Sequence, residues 1–332
     1  MRDKSNWVIF GGLLAGLVCA CALSLFAGAV RVPADEMFTC DIIQLRVHPI
    51  IQLRMARILL AIVAGAGLSV SGVVFQALFR NPLAEPYVLG VSSGAGLAAV
   101  AAILLSLSAS STWTLPALAF TGALATILLV YALARDRAGA TPVHTLLLSG
   151  VMVNAVFGSM LMFLVSLSSS DELHNVIWWL LGNLQIFDWA LLRAAAIVVG
   201  AGLLATTVLS RDLNVITLGE EPAAHLGLNV ERTKKLFLLL ASLMTGATVA
   251  ACGLIGFVGL IVPHSMRLAL GPDHRRLVPA SALGGAVFLV LADSLARTVI
   301  APMEVPIGVV TALLGGPFFF FLLRHKKHSS WG

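Results

Sequence analysis

The chain has 332 residues, 59% of them hydrophobic and only 11% charged, with a mean hydropathy of +0.97 and a formal charge of +5. About a quarter of a typical soluble domain is charged, so a soluble enzyme or binding domain is excluded and the composition is that of a polytopic membrane protein. The cysteines, Cys19, Cys21, Cys40 and Cys252, form no C-x-x-C pair and join no histidine cluster, which excludes a metal or redox set.

Arg2 and Lys4 open the chain ahead of an apolar stretch that reaches Val30. A secretory signal has an apolar region of roughly 7–15 residues. This one is longer and reads as a retained first span, 7–30. Arg54 and Arg57 come next, just before Ile58 to Phe79, a run of 22 residues without a formal charge. Then comes Arg80-Asn81-Pro82-Leu83-Ala84-Glu85-Pro86, and after it the 49 residues from Pro86 to Ala134 carry no charge. Proline-broken backbone at membrane depth is tolerated only when buried in protein or facing a watery cavity, so this loop points to a transport path rather than a plain anchor.

Apolar runs between charges and turn residues predict an all-α protein with ten spans, at 7–30, 58–79, 92–107, 115–134, 145–167, 191–210, 236–258, 262–271, 277–296 and 307–323. The eighth is too short to cross a ~30 Å core as a helix and is expected to continue from a segment, Gly256 to Pro263, that dips into the membrane. The chain reads as one transmembrane domain, 1–332, with spans two to six in 58–210, a cytoplasmic coupling loop at 211–235 and spans seven to ten in 236–323. Placing both termini in the cytoplasm puts fifteen of the 21 Lys and Arg residues inside and six outside, as the positive-inside rule requires. Gly67 to Pro86 and Gly246 to Pro263 form a weak inverted echo: small residues, then phenylalanine and a proline break.

Between the fifth and sixth spans, Asp171 to Trp189 contains Trp178, Trp179 and a Gly182-Asn183 turn, read either as aromatic anchoring at the interface or as a short helix at the mouth of a path. The most polar stretch is Arg211 to Lys235. Within it, Glu220-Glu221-Pro222-Ala223-Ala224-His225-Leu226-Gly227 predicts a short helix, with acids and proline at its start and Gly227 as its stop. Such a helix either docks a cytoplasmic partner or lies on lipid headgroups, and spacing leaves both open. At the opposite face Arg54, Arg57 and Arg297 are expected to be exposed and suited to carboxylates of a docking protein, to lipid phosphate, or to local pairing. Asp293 and Arg297 stand i, i+4 and can neutralise each other, or Asp293 can serve as a proton-relay acid.

No G-x-x-x-x-G-K-[ST] loop is present, so the chain holds no nucleotide through a P-loop. No catalytic carboxylate pair, Ser/His/Asp order or zinc pattern appears, and His48, His144 and His174 are isolated. Catalysis by this chain alone is not expected, and the basic balance reflects orientation in a bilayer rather than nucleic-acid binding.

Several motifs together resemble one family: Arg80 to Pro86 with Leu89-Gly90-Val91; Gly256-Phe257-Val258-Gly259-Leu260 with Val262-Pro263-His264; Asp293 to Arg297; and Pro306-Ile307-Gly308-Val309 with Thr311-Ala312-Leu313 and Gly315 to Phe319. From about Leu53 to the C-terminus the chain is similar to the FecCD permeases, subunits of type II ABC importers for ferric siderophores, haem and cobalamin. The resemblance implies a ten-span subunit in the bacterial inner membrane, working as a dimer (homodimer or with a paralogue) with the path between subunits along the fifth span. It implies two cytoplasmic ATPase subunits holding ATP and magnesium, a periplasmic binding protein, and no cofactor on this chain. By motif position Glu220, Glu221, Pro222, Ala223, Ala224 and Gly227 resemble the coupling helix, and Arg54, Arg57 and Arg297 the arginines that receive the binding protein. Asn81 and Leu83 resemble one cytoplasmic gate; Val143 and His144 fall at the other, where the family often has small hydroxylated residues. Ala56 replaces the frequent proline between the first arginines. Met152, Met160 and Met162 would line the path, although methionine is also ordinary span filler.

An iron chelate is the expected cargo, followed by cobalamin and then an oxyanion, and haem would gain if His144 or His174 faced the path. An ion-coupled secondary transporter using Asp293 is the reading from another class.

Overall fold

A computed structural model of the protein describes residues 2–28, 49–107, 111–136, 139–185 and 188–326. Arg31, Cys40, Arg46 and His48 lie outside the described residues. Among those described there are thirteen α-helices, one single-turn 3-10 helix and no strand. The helices are α1 (Arg2–Phe26), α2 (Pro49–Leu78), α3 (Val91–Leu104), α4 (Thr114–Ala134), α5 (Val143–Ser166), α6 (Ser170–Leu180), α7 (Trp189–Val208), α8 (Ser210–Ile216), α9 (Glu220–His225), α10 (Val230–Cys252), α11 (Val258–Leu270), α12 (His274–Thr298) and α13 (Ile307–Lys326). Seven are long and apolar enough to cross a bilayer; the apolar stretches of α3, α11 and α13 are shorter.

These helices correspond in order to the ten expected runs, with informative differences. The second begins at Pro49, so Arg54 and Arg57 lie inside a helix rather than ahead of it. The seventh starts at Val230 and stops at Cys252, because Gly253 takes a backbone, φ 69° and ψ −159°, that only glycine adopts easily. Pro263 does not break the eighth; it sits inside α11. Proline cannot donate to the carbonyl four residues back, and the freed Gly259 oxygen instead accepts from the Gln76 amide at 3.2 Å. The true interruption is the preceding stretch, 253–257, which ends in Phe257 at φ 68°.

Helix α2 is the axis of the bundle, buried along most of its length. It packs on α12 through glycines: a β-carbon on Gly65 would strike the Gly285 carbonyl, and one on Gly285 would strike the Gly65 carbonyl. Gly72 meets the Gly259 carbonyl of α11 in the same way. Lipid offers no hydrophobic drive between helices, so close backbone contact between small residues supplies dispersion energy instead. Around this axis Val70, Val74, Phe75, Leu78, Phe237, Met244 and Leu277 form the larger buried cluster, and Leu60, Leu68, Leu289 and Val290 form the second. The bundle has two ends. Arg80, Arg267 and His274 mark the basic end; Arg57, Asp293 and Arg297 mark the opposite end.

Candidate functional site

At the basic end, α9 projects from the bundle between two glycines that non-glycine residues would strain, Gly219 (φ 120°) and Gly227 (φ 84°). Its stop is a Schellman motif: the Leu228 amide donates to the Ala223 carbonyl at 3.1 Å and the Gly227 amide to Ala224 at 2.9 Å. Ala223 is buried, whereas Glu221, Pro222, Ala224 and Leu226 face outward. Exposed Leu218 and Leu226 flank the acidic turn, an amphipathic knob rather than a purely solvated one.

Lys234 roots that knob. Its side chain is 2% exposed, yet its ammonium reaches Glu220 of α9 at 3.2 Å, Glu231 at 2.5 Å and the Thr141 carbonyl at 2.6 Å. Glu231 in turn accepts from the Thr141 amide at 3.2 Å and its hydroxyl at 2.5 Å. Thr141 stands immediately before Pro142 and the start of α5. One buried cation therefore ties the projecting helix to the root of the fifth span. Sequence reading missed Lys234, Glu231 and Thr141; an uncharged threonine and a lysine four residues into a helix give no signal without the fold.

The fifth span buries Leu146, Ser149, Gly150 and Val153, the i, i+3, i+4, i+7 stripe of one face. Its other face carries Leu148, Val151, Met152, Val156, Met160, Met162 and Phe163, all exposed, Met152 at 62%. His144 is exposed and Val143 partly buried at its first turn. Gly150 lies against the 3-10 turn Pro86–Leu89, where an added β-carbon would come 2.8 Å from the Leu89 Cα. The loop bearing Asn81 and Leu83 leads into that turn. Asn81 accepts from the Leu83 amide at 2.9 Å, an Asx turn that presents Leu83 outward.

The two interrupted segments meet. The Tyr87 hydroxyl donates to the Ile255 carbonyl at 2.6 Å and accepts from the Ile255 amide at 2.9 Å. The Asn183 amide donates to the Cys252 carbonyl at 2.8 Å, and the Phe257 amide bonds the Glu85 carboxylate. Backbone groups that no helix satisfies are thus satisfied by protein rather than lipid. Glu85 Oε2 is buried with no partner. Phe257, strained by its left-handed backbone, presses its ring onto Gly315 of α13.

At the opposite end the arginines are not exposed, which corrects the expectation from sequence. Arg54 is buried and donates to the Leu25 carbonyl at 2.6 Å. Arg297 is buried and donates to Ala27 O at 3.1 Å and Ser24 Oγ at 2.5 Å. Both cap the C-terminal carbonyls of α1, where cations are favoured. Arg57 bridges Asp293 and Glu304, each at 2.8 Å, and Arg297 meets Asp293 at 3.0 Å. Asp293 is 0% exposed and held between two guanidiniums. Arginine forks enter a helix bundle when carboxylates and helix ends receive them, partners that lie far away in sequence.

Helix α6 is held by a capping box between Ser169 and Glu172. It lines a cavity of about 480 Å³ with Asn175, Trp178 and Trp179, joined by Asn183, Gln185 and Asp188. His174 lies beside the Trp178 ring, 6.0 Å between centroids. Among the described residues no three His, Cys, Asp or Glu side chains converge.

The chain superposes on a solved metal-chelate type ABC transporter in an inward-facing conformation, with a TM-score of 0.84, 30% identity, and coverage of 98% of this chain and 99% of that one. Fold and interrupted helices together define the permease subunit of an ABC importer. The hemin transport system permease protein HmuU of Yersinia pestis is 38% identical over 328 residues, covering 98% of each chain. The cobalamin import system permease protein BtuC of Halobacterium salinarum is 48% identical over 275 residues, 83% of this chain and 73% of that one. The chain belongs to the FecCD transport family, whose model matches residues 16–325.

Proposed function

We propose that this permease moves an iron chelate, a ferric siderophore or haem, from the periplasm to the cytoplasm by alternating access. It does so as half of a permease dimer in the bacterial inner membrane, with both termini cytoplasmic. Two ATPase subunits, which bind ATP and magnesium, drive it, and a periplasmic binding protein delivers the cargo. The observation that carries this reading is the buried Lys234 bridge from Glu220 to Thr141. A push on α9 by a closing ATPase dimer travels through that cation to the first turn of α5, shifting Val143 and His144 relative to the loop of Asn81 and Leu83. The apolar, methionine-bearing face of α5 supports a path between two copies, because a bulky chelate needs a smooth lining rather than fixed donors. Arg54, Arg57 and Arg297 act from beneath the receiving surface, where this cluster of three cations with Asp293 and Glu304 keeps one local positive charge for an acidic binding protein to meet.

An iron-chelate cargo is supported by end-to-end likeness to a hemin permease and to an Fe(3+) dicitrate permease. Vitamin B12 permeases match this chain end to end as well, at 41% identity over 97% of it, which makes cobalamin the second reading. The test is ATP-dependent uptake into proteoliposomes holding the permease with its ATPase and cognate binding protein, offered ferric siderophore, haem and cobalamin in parallel. Uptake of an iron chelate that needs ATP and binding protein supports the proposal. Uptake of cobalamin alone replaces the cargo. Uptake that ignores ATP and follows an ion gradient overturns the importer reading and returns attention to Asp293.

A further inference from the structure

A cavity of about 220 Å³ opens at the basic end, between the loop after α2 and the start of α12, lined by Gln76, Arg80, Asn81, Thr217, Arg267 and His274 among others. A single water needs only about 15 Å³ of such space, so a tetrahedral oxyanion fits. The lining contains two guanidiniums and an imidazole and no carboxylate.

Arg267 is partly buried, and the partner of its side chain is neutral: Nη1 donates to Gln76 Oε1 at 2.9 Å. Gln76 is itself fixed, because its amide is committed to the carbonyl that Pro263 leaves free. Among the described residues no carboxylate pairs with Arg267 or Arg80. A guanidinium carries five N–H donors in a rigid fork, and charge withdrawn from water without a counter-charge is costly. His274 is 3% exposed; its Nδ1 faces Asn214 Oδ1 at 2.8 Å and its Nε2 is buried without a partner. Asn214 also donates to Asp273 at 2.7 Å, which fixes its oxygen as the acceptor and leaves Nδ1 of His274 as the donor. Nε2 is then free to accept from an O–H of the occupant, that of a protonated phosphate or of a lipid headgroup hydroxyl. The neighbouring Asp273 is occupied by Asn214 and by the Arg275 amide at 3.1 Å, and does not line the cavity.

We propose that this cavity binds a phosphate group, with Arg267 and Arg80 supplying charge and forked donors and His274 the third contact. The phosphate belongs to an anionic lipid headgroup or to free phosphate. Arg80 also reaches Gly219, whose β-carbon would stand 3.2 Å from its Nη1, so an occupant would join the end of α2 to the hinge of α9.

The test uses the full chain in nanodiscs. In neutral phosphatidylcholine discs, inorganic phosphate is titrated against chloride at equal ionic strength while thermal unfolding is followed. In parallel, the protein is extracted from discs containing phosphatidylglycerol, and bound lipid is counted by native mass spectrometry. A saturable rise in melting temperature with phosphate identifies the free anion. One retained phosphatidylglycerol per chain, with no response to phosphate, identifies the lipid. In either case Arg267→Gln should weaken binding about tenfold or more, the worth of one charge-assisted bond. If Arg267→Gln does not fold, Arg80→Gln, which changes an exposed side chain, decides the matter by the same loss. Neither ligand binding, or binding that both variants retain, overturns the site.

Discussion

Replacing Lys234 by methionine keeps an unbranched side chain in the same buried groove and deletes only the ammonium group. Thr141 O then loses its donor, and Glu220 and Glu231 face each other without the cation between them. Removing one partner from a fully buried pair costs about 3–5 kcal/mol. Here the carboxylates keep 40% and 35% of their side-chain surface, so solvent screens part of that loss and about 1–3 kcal/mol is expected. The larger effect should fall on coupling. Coupling free energies of about 1–3 kcal/mol correspond to roughly 5–150-fold, so uptake per ATP hydrolysed should fall about tenfold while ATP turnover by the assembled transporter persists. The assay is paired uptake and phosphate release in the same proteoliposomes, with Glu220→Gln and the double variant completing a thermodynamic cycle. If Lys234→Met transports as efficiently as the parent, or if its effect simply adds to that of Glu220→Gln, the bridge is not the link and the reasoning fails.

Reversing Glu220 and Glu221 to lysine should uncouple the ATPase, because the change at 220 sets a like charge against Lys234 and the change at the outward-facing 221 inverts the docking face; normal assembly and uptake would refute the docking role of α9. Arg57→Gln leaves Asp293 to Arg297 alone and Glu304 without its fork, and should lower stability by about 1–3 kcal/mol; thermal unfolding reads this out, and an unchanged melting temperature would show that the Arg57 bridge adds nothing.

The bundle was largely legible because each span must be apolar over a fixed length, a property local to the chain. The stop at Gly227 was equally legible, since helix ends are written in a few adjacent residues. Arg54, Arg57 and Arg297 were not: as isolated letters beside apolar runs they read as exposed, and only their partners, the end of α1 together with Asp293 and Glu304, bring them inside. Pro263 misled for a related reason. Its cost as a helix breaker is real, but Gln76, 187 positions earlier in number, takes the carbonyl it abandons.

Composition, periodicity and charge bias by themselves determined a many-spanning helical membrane protein, the order of its helices and the projecting acidic turn, because those signals act within one helix length. Tertiary structure alone decided that Lys234 binds Glu220 to Thr141, that Tyr87 and Glu85 dock on the interrupted stretch before α11, and that Arg267 faces a cavity without a carboxylate. Each of these joins groups distant in the chain, and their energies depend on distance and burial in space, quantities that residue spacing does not contain.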